Sequence, residues 1–175
     1  MEISILTPKC TLVPSNFFEP TSARDSLAEV VLLKDSDTVD YVELPQYGAY
    51  LLFCPSEDDS VSRIIDEAAS PGEDARPLPE LYYVIRDLDK CREYNKILCT
   101  WMDGNLYMAI AQGKSLLLAN SYRTPDFTTA EYYIFLAMKS LQLNPEVSTI
   151  CWRKPVGCDE EMSLYRYFKA VEQIH

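Results

Sequence analysis

The stretch TWMDGNLY, Thr100 to Tyr107, sets an aspartate and a glycine side by side between two apolar runs. Asp103-Gly104 makes the tight turn of a β-hairpin, or it forms a loop whose backbone N–H groups grip a phosphate. The other chemistry-bearing residues narrow the field. Six cysteines occur, Cys10, Cys54, Cys91, Cys99, Cys151 and Cys158, and none forms a C-x-x-C pair. They are expected to be small buried hydrophobes rather than disulfides. A structural zinc site wants close ligand pairs, usually with histidine. The single histidine is His175, at the last position, which argues against Ser-His-Asp and Cys-His catalysis. Glu57-Asp58-Asp59 reads as a metal cluster or as the acidic first turn of a helix capped by Ser56, and the helix is the simpler reading. No catalytic residue, metal ligand or cofactor is expected.

The totals agree. Hydrophobic residues make up 47% of the 175 and charged residues 25%, as in ordinary globular proteins. A chain of this size buries roughly 70% of its unfolded surface and needs no staple. No apolar run approaches the roughly 20 residues that cross a bilayer. MEISILTPKC lacks the basic and apolar regions of a signal peptide. No membrane association and a cytoplasmic location are therefore expected. The net charge of −11 repels phosphate backbones, and Arg153-Lys154 is the only adjacent basic pair, so no nucleic-acid partner is expected.

The elements that must position these residues follow from periodicity. Ile3 to Leu6 and Thr11 to Val13 read as short extended segments, broken by Pro8 and stopped by Pro14, with Ser15 capping a turn through Phe18. Leu27 to Leu33 favours a strand because of Val30-Val31. Thr38 to Leu44 and Ala49 to Cys54 read as strands joined by the turn Pro45 to Gly48. After Ser56, Val61, Ile64, Ile65 and Ala68 share one helical face. Pro71 to Pro79 reads as a loop and as the boundary between an N-terminal lobe, 1–75, and a C-terminal lobe, 76–175. A helix is expected from Glu80 to Tyr94, with Leu81, Val84, Ile85, Leu88 and Cys91 inward. Lys96 to Met102, Asn105 to Ala111 and Ser115 to Tyr122 then form an antiparallel meander turning at Asp103-Gly104 and Gln112-Gly113-Lys114. Thr128 and Glu131 fit a capping box for a helix buried on most sides. Val147 to Trp152 reads as a fourth strand. Asp159 to Ile174 reads as a closing helix with Met162, Tyr165, Phe168, Val171 and Ile174 inward.

A meander followed by a helix that crosses to a parallel strand is the ribonuclease-H-like core, and actin-like ATPases contain two such cores. Three stretches carry a family likeness: GKSLLLANSYRTPDFTTAEYYIFLAMKSLQLNPE from Gly113 to Glu146, TLVPSNFF from Thr11 to Phe18, and SLYRYFKAV from Ser163 to Val171. In this order they resemble a family of uncharacterised bacterial proteins, catalogued only as a domain of unknown function, with an actin-like fold. The resemblance implies an α/β chain with an incomplete N-terminal half. Family members place roughly a half-domain before Thr-Leu-Val-Pro, whereas here ten residues precede it.

An actin-type site, as the resemblance implies it, uses a glycine-bearing phosphate hairpin in each half and a paired-glycine turn for adenosine. Asp103-Gly104 stands at the second hairpin, but the usual spacing is Asp-x-Gly followed by a small hydroxyl residue, and here Asn105 follows. None of the five glycines is adjacent to another, and CWRKPVGCDEE occupies the adenosine turn. A nuclease of this fold would hold two cations on carboxylates. Asp103 and Glu131 lie near two of its acidic positions, but the strand Thr149 to Trp152 offers no acid. The expected role is a non-catalytic protein-interaction or scaffold module with an unidentified protein partner. The alternative is a nucleotide-binding ATPase using the Asp103-Gly104 hairpin. Twelve tyrosines, several in close sets (Tyr82-Tyr83, Tyr132-Tyr133, Tyr165/Tyr167), suit an interface or a core rim. Weak self-association through the edge of Ile3 to Leu6 is a further expectation.

Overall fold

The computed structural model describes residues 2–55 and 76–175. The helix expected after Ser56, its Glu57-Asp58-Asp59 turn and the start of the following loop lie outside them. The chain divides into two units, Met1–Tyr83 and Val84–His175.

In the first unit, proline punctuates the chain as expected. β1 (Ser4–Ile5) ends before Pro8, and β2 (Cys10–Pro14) ends on the second proline. The 3-10 turn Ser15–Phe17 follows with no side-chain cap, so Ser15 begins the turn instead of capping it. The strand expected at Leu27 to Leu33 is not formed. Its start belongs to helix α1 (Ala23–Ala28), and the rest is turn and irregular chain. Ala23 and Leu27 are buried one helical turn apart, while Val30 and Leu32 are 62% and 90% exposed. The good helix formers before Leu27 outweigh the β-branched pair after it, because only the helix buries Leu27.

β3 (Asp40–Leu44) and β4 (Ala49–Phe53) are joined by a 3-10 turn that Gly48 closes at φ 59°. The antiparallel sheet has the order β2-β4-β3, so β4 is central and Leu51, Leu52 and Phe53 are fully buried. On its rim, Phe18 stacks on Tyr50 with centroids 4.0 Å apart. Where a loop was expected to continue to Pro79, β5 (Leu78–Pro79) pairs in parallel with β1 and gives that strand a neighbour.

Helix α2 (Glu80–Arg86) spans the division between the units. Leu81, Val84, Ile85, Leu88 and Cys91 are buried as their spacing predicts, but the helix does not reach Tyr94. It tightens into a 3-10 turn at Asp87–Lys90. There the buried Asp87 carboxylate gathers Arg86 at 2.8 Å, Lys90 at 3.5 Å and Arg153 at 3.1 Å. Arg153 lies 66 positions along the chain and was invisible to local pattern.

The second unit forms around the expected meander, β6 (Asn95–Met102), β7 (Asn105–Gln112) and β8 (Ser115–Arg123). Every residue from Asn105 to Ala111 is buried, the mark of a strand covered on both faces. Helix α3 (Phe127–Ser140), β9 (Thr149–Trp152), helix α4 (Cys158–Tyr165) and β10 (Ala170–Gln173) complete the unit. The sheet order is β10-β9-β6-β7-β8, with β9 parallel to both β6 and β10. Ile97, Met108, Ile150 and Trp152 on one face pack with Ile134 and Met138 of α3 and Leu164 of α4.

Three expectations fail in the elements after the meander. The closing helix stops at Tyr165, leaving Met162 and Tyr165 65% and 52% exposed, and the chain returns as β10. β9 is wholly buried, so its outer backbone groups need partners that a longer helix could not supply. Ile174 donates its N–H to the Trp152 carbonyl at 3.0 Å, extending the same ladder. The capping box at Thr128 and Glu131 is not formed either. Asp126 is the N-cap, and its Oδ1 accepts the Thr129 N–H at 2.7 Å and the Thr129 hydroxyl at 2.9 Å. Helix α3 is buried on one face only, since Tyr132 is 60% and Leu136 46% exposed.

Two predictions follow from these polar anchors. Thr129 holds the Asp126 carboxyl below its ordinary pKa. Asp126→Ala should lower the melting temperature, whereas Thr128→Ala should leave it unchanged. At Asp87, burial raises the pKa, but the Arg86, Arg153 and Lys90 charges outweigh it and leave the group lowered. A lowered carboxylate stabilises the fold above its unfolded pKa of about 3.9, and that stability is lost as pH falls through the folded value. Asp87→Asn should therefore cost about 3 kcal/mol in urea unfolding at pH 7. The difference from wild type should shrink steadily below about pH 4.

Candidate functional site

The Asp103-Gly104 hairpin is built by the strands around it. Met102 pairs with Asn105, so the loop has only these two residues. Both have positive φ, 52° at Asp103 and 69° at Gly104, as a primed turn requires. Its carbonyls are used internally. Asn105 donates its side-chain amide to the Asp103 carbonyl at 3.1 Å, and Thr124 donates its N–H to the Gly104 carbonyl at 2.8 Å. The Trp101 indole donates to the Thr124 hydroxyl at 3.1 Å, stitching the tip to the segment before α3. Trp101 meets Phe127 edge-on at 5.1 Å, and Phe127 lies 6.1 Å from Trp152. The space beside the turn is filled by rings, and the first N–H groups of α3 face the Asp126 carboxylate.

The segment where the resemblance would set an adenosine turn lies between β9 and α4. Gly157 is the N-cap of α4, and a Cβ there would meet the Glu160 carboxylate at 2.2 Å. The adjacent cavity has a volume of about 70 Å³ and is lined by Trp152, Val156, Glu161, Val171 and Glu172. Sites for drug-sized ligands run from about 300 to 1,000 Å³. Of the nuclease-type acids, Asp103 sits in the turn. Glu131 sits on α3, where its Oε1 is buried without a hydrogen-bond partner. Among the described residues, no three metal-ligating side chains come together. All six cysteines are free thiols, buried except Cys158. The Cys91 thiol donates to Cys151, a hydrogen bond that with burial pushes Cys91 far up and that lowers Cys151, while burial above all pushes Cys99 up. Neutral thiols such as Cys91 and Cys99 are poor nucleophiles. His175 is exposed.

The tyrosine sets do divide between core and surface. Tyr83 is buried beside a half-buried Tyr82. Tyr133 stacks on Tyr122 at 4.5 Å while Tyr132 stays exposed. Tyr165 and Tyr167 are both about half exposed, at 52% and 49%. Tyr167 meets Phe135 at 4.9 Å and forms one wall of a groove of about 330 Å³, with Asn144, Pro145, Glu146 and Arg166. Leu136 and Val147, the latter 66% exposed, adjoin these residues in the chain. The sequence hid this groove because Tyr132 to Met138 is apolar all round and reads as buried. Its one signal was the close tyrosine sets.

Strand order and helix placement in the second unit are those of the ribonuclease-H-like core, and the whole chain has an actin-like ATPase fold. It superposes, with a TM-score of 0.77, on a Bacteroides thetaiotaomicron VPI-5482 protein with an actin-like ATPase fold and unknown function, whose crystal structure is known at 1.85 Å. The two are 19% identical, and the match covers 99% of this chain and 67% of that one. A family model, "Protein of unknown function (DUF3822)", matches residues 1–171, and the chain belongs to that family. No curated protein matches it. No helix among the described residues is long and apolar enough to cross a membrane.

The turn geometry can be tested directly. Nothing lies within 4 Å of a Cβ added at Gly104, so Gly104→Ala isolates the backbone cost of its positive φ. It should destabilise the protein by about 1–2 kcal/mol without altering any ligand response.

Proposed function

We propose that this chain is a non-catalytic protein-interaction module on an actin-like fold. One observation carries the reading: on one unit, Tyr132 and Leu136 stand exposed a helical turn apart on α3, Val147 is exposed, and the half-exposed Tyr167 walls a groove of about 330 Å³. Exposed aromatic and aliphatic groups, and a concave groove walled by an aromatic ring, are what protein interfaces use as anchors. The phosphate-binding alternative has less support. A two-residue turn has no room to wrap a phosphate, and the cavity at the adenosine position is too small for a purine nucleoside.

Two measurements test this. A ligand at about 100 times its dissociation constant stabilises a fold by about 2.7 kcal/mol. Millimolar Mg-ATP should leave the melting temperature unchanged, and an upward shift that vanishes in Asp103→Ala would restore the phosphate loop. In native lysate, the purified chain should retain a protein that Tyr132→Asp/Val147→Asp loses while unfolding at the same denaturant concentration. Equal retention by both would remove the α3 groove from the account.

A further inference from the structure

The five-stranded sheet ends on β8, and among the described residues no strand pairs with its outer side. Every residue of β8 keeps some exposure, in contrast to the buried β7 beside it. The direction of its backbone groups follows from the ladder. Thr124 gives its N–H to Gly104. Alternate residues Tyr122, Asn120 and Leu118 share that inward sense, so Ala119, Ser121 and Arg123 turn their N–H and C=O groups away from β7. The Asn120 side chain, which meets the Ser121 N–H at 2.9 Å, confirms the outward sense. Edge strands are ordinarily defended by charge, proline or irregularity. Among the described residues, the defences seen on this strand include that one amide and a bulge opposite Ile110/Ala111. From Ser115 to Tyr122 there is no charge and no proline, while Lys114 and Arg123 bracket the strand.

The adjoining helix adds an apolar roof. Tyr133 stacks on Tyr122 of the edge strand. By the period of 3.6, Thr129, Leu136 and Ser140 lie on the same side of α3 as Tyr133. A strand added beyond β8 would run beneath that stripe and cover Leu136, now 46% exposed.

We infer that the outer edge of β8, from Leu118 to Arg123, takes an extended peptide of another protein by strand addition, with an uncharged β-prone centre and acidic residues at its ends. This deepens the interaction-module reading and rests on it. Main-chain hydrogen bonds to Ala119, Ser121 and Arg123 supply the pairing, with a partner carbonyl replacing the Asn120 amide at Ser121. Charge complementarity selects the occupant. An antiparallel second copy centred on Ala119 sets Arg123 against Ser115, with Lys114 beside it, at both ends, and like charges so placed repel. An acidic end meets a cation at each end instead. The net charge of −11 opposes such a partner only at long range, where salt screens it beyond about 8 Å.

The probe is a fluorescein-labelled peptide of about ten residues, alternating threonine and valine between glutamate ends, titrated by anisotropy. Controls carry lysine ends or a central proline. Wild type should bind the glutamate-ended peptide at least about tenfold tighter than either control, and more weakly as salt rises. Ala119→Pro removes an outward N–H and no bond to β7, so it should fold normally and lose binding by a similar factor. Lys114→Glu/Arg123→Glu, which leaves the backbone intact, should reverse the preference between the charged ends. Undiminished binding by a folded Ala119→Pro would overturn the inference, as would the absence of binding by every peptide. So would a wild-type dimer in sedimentation that Ala119→Pro abolishes, which would make the occupant a second copy. If the lysate partner survives Ala119→Pro but not Tyr132→Asp/Val147→Asp, the interaction reading stands and the edge inference falls.

Discussion

The second unit depends on the two-sided burial of one hairpin. β7 is buried along nearly its whole length, and β6 from Ile97 to Thr100. A strand buried on both faces has no polar face to expose, so layers must cover it above and below. Helices α3 and α4 supply one cover, and the turn at Asp87–Lys90 packs on β6 and β7 from elsewhere. The same constraint fixes the register at Asp103-Gly104. A slip of one residue would invert both strands' faces, so the turn is as short as the chain allows. Its glycine serves a backbone conformation.

Much of this was legible locally. The meander, its turns, α3 and β9 appear in the sequence because each is dictated by its own residues: Asp-Gly between apolar runs, and glycine at the second turn. What stayed hidden is what distant residues decide. β10 exists because β9 needs a partner, and nothing within Ala170 to Gln173 distinguishes it from the end of an amphipathic helix. α2 stops early at a carboxylate shared with Arg153. Leu27 reads as strand because Val30-Val31 follows it, although Val30 faces solvent and Val31 packs beside Leu27 from irregular chain. The motif at Thr128 and Glu131 points two residues too far along, because Asp126 after Pro125 accepts the Thr129 N–H and caps α3 instead.

For the candidate site, the sequence was informative mainly through its residue inventory: one histidine, no paired glycines and no acid on β9. It pointed to tyrosines without saying which were exposed, since exposure depends on which helical face meets the sheet. The groove beside Tyr167 and the edge of β8 are tertiary features of that kind. Both adjoin α3, whose N-terminal residues pack toward Trp101 and Trp152 and whose outer surface is left to solvent.

If a doubly covered hairpin forms the centre and the outer side of β8 is the open margin, amide hydrogen exchange must separate them. In the isolated chain, the N–H groups of Leu106, Met108 and Ile110 should exchange only through global unfolding. Those of Ala119 and Arg123, pointing away from β7, should exchange orders of magnitude faster. Protection at Ala119 and Arg123 equal to that of β7 would contradict the account, because that edge would already be covered.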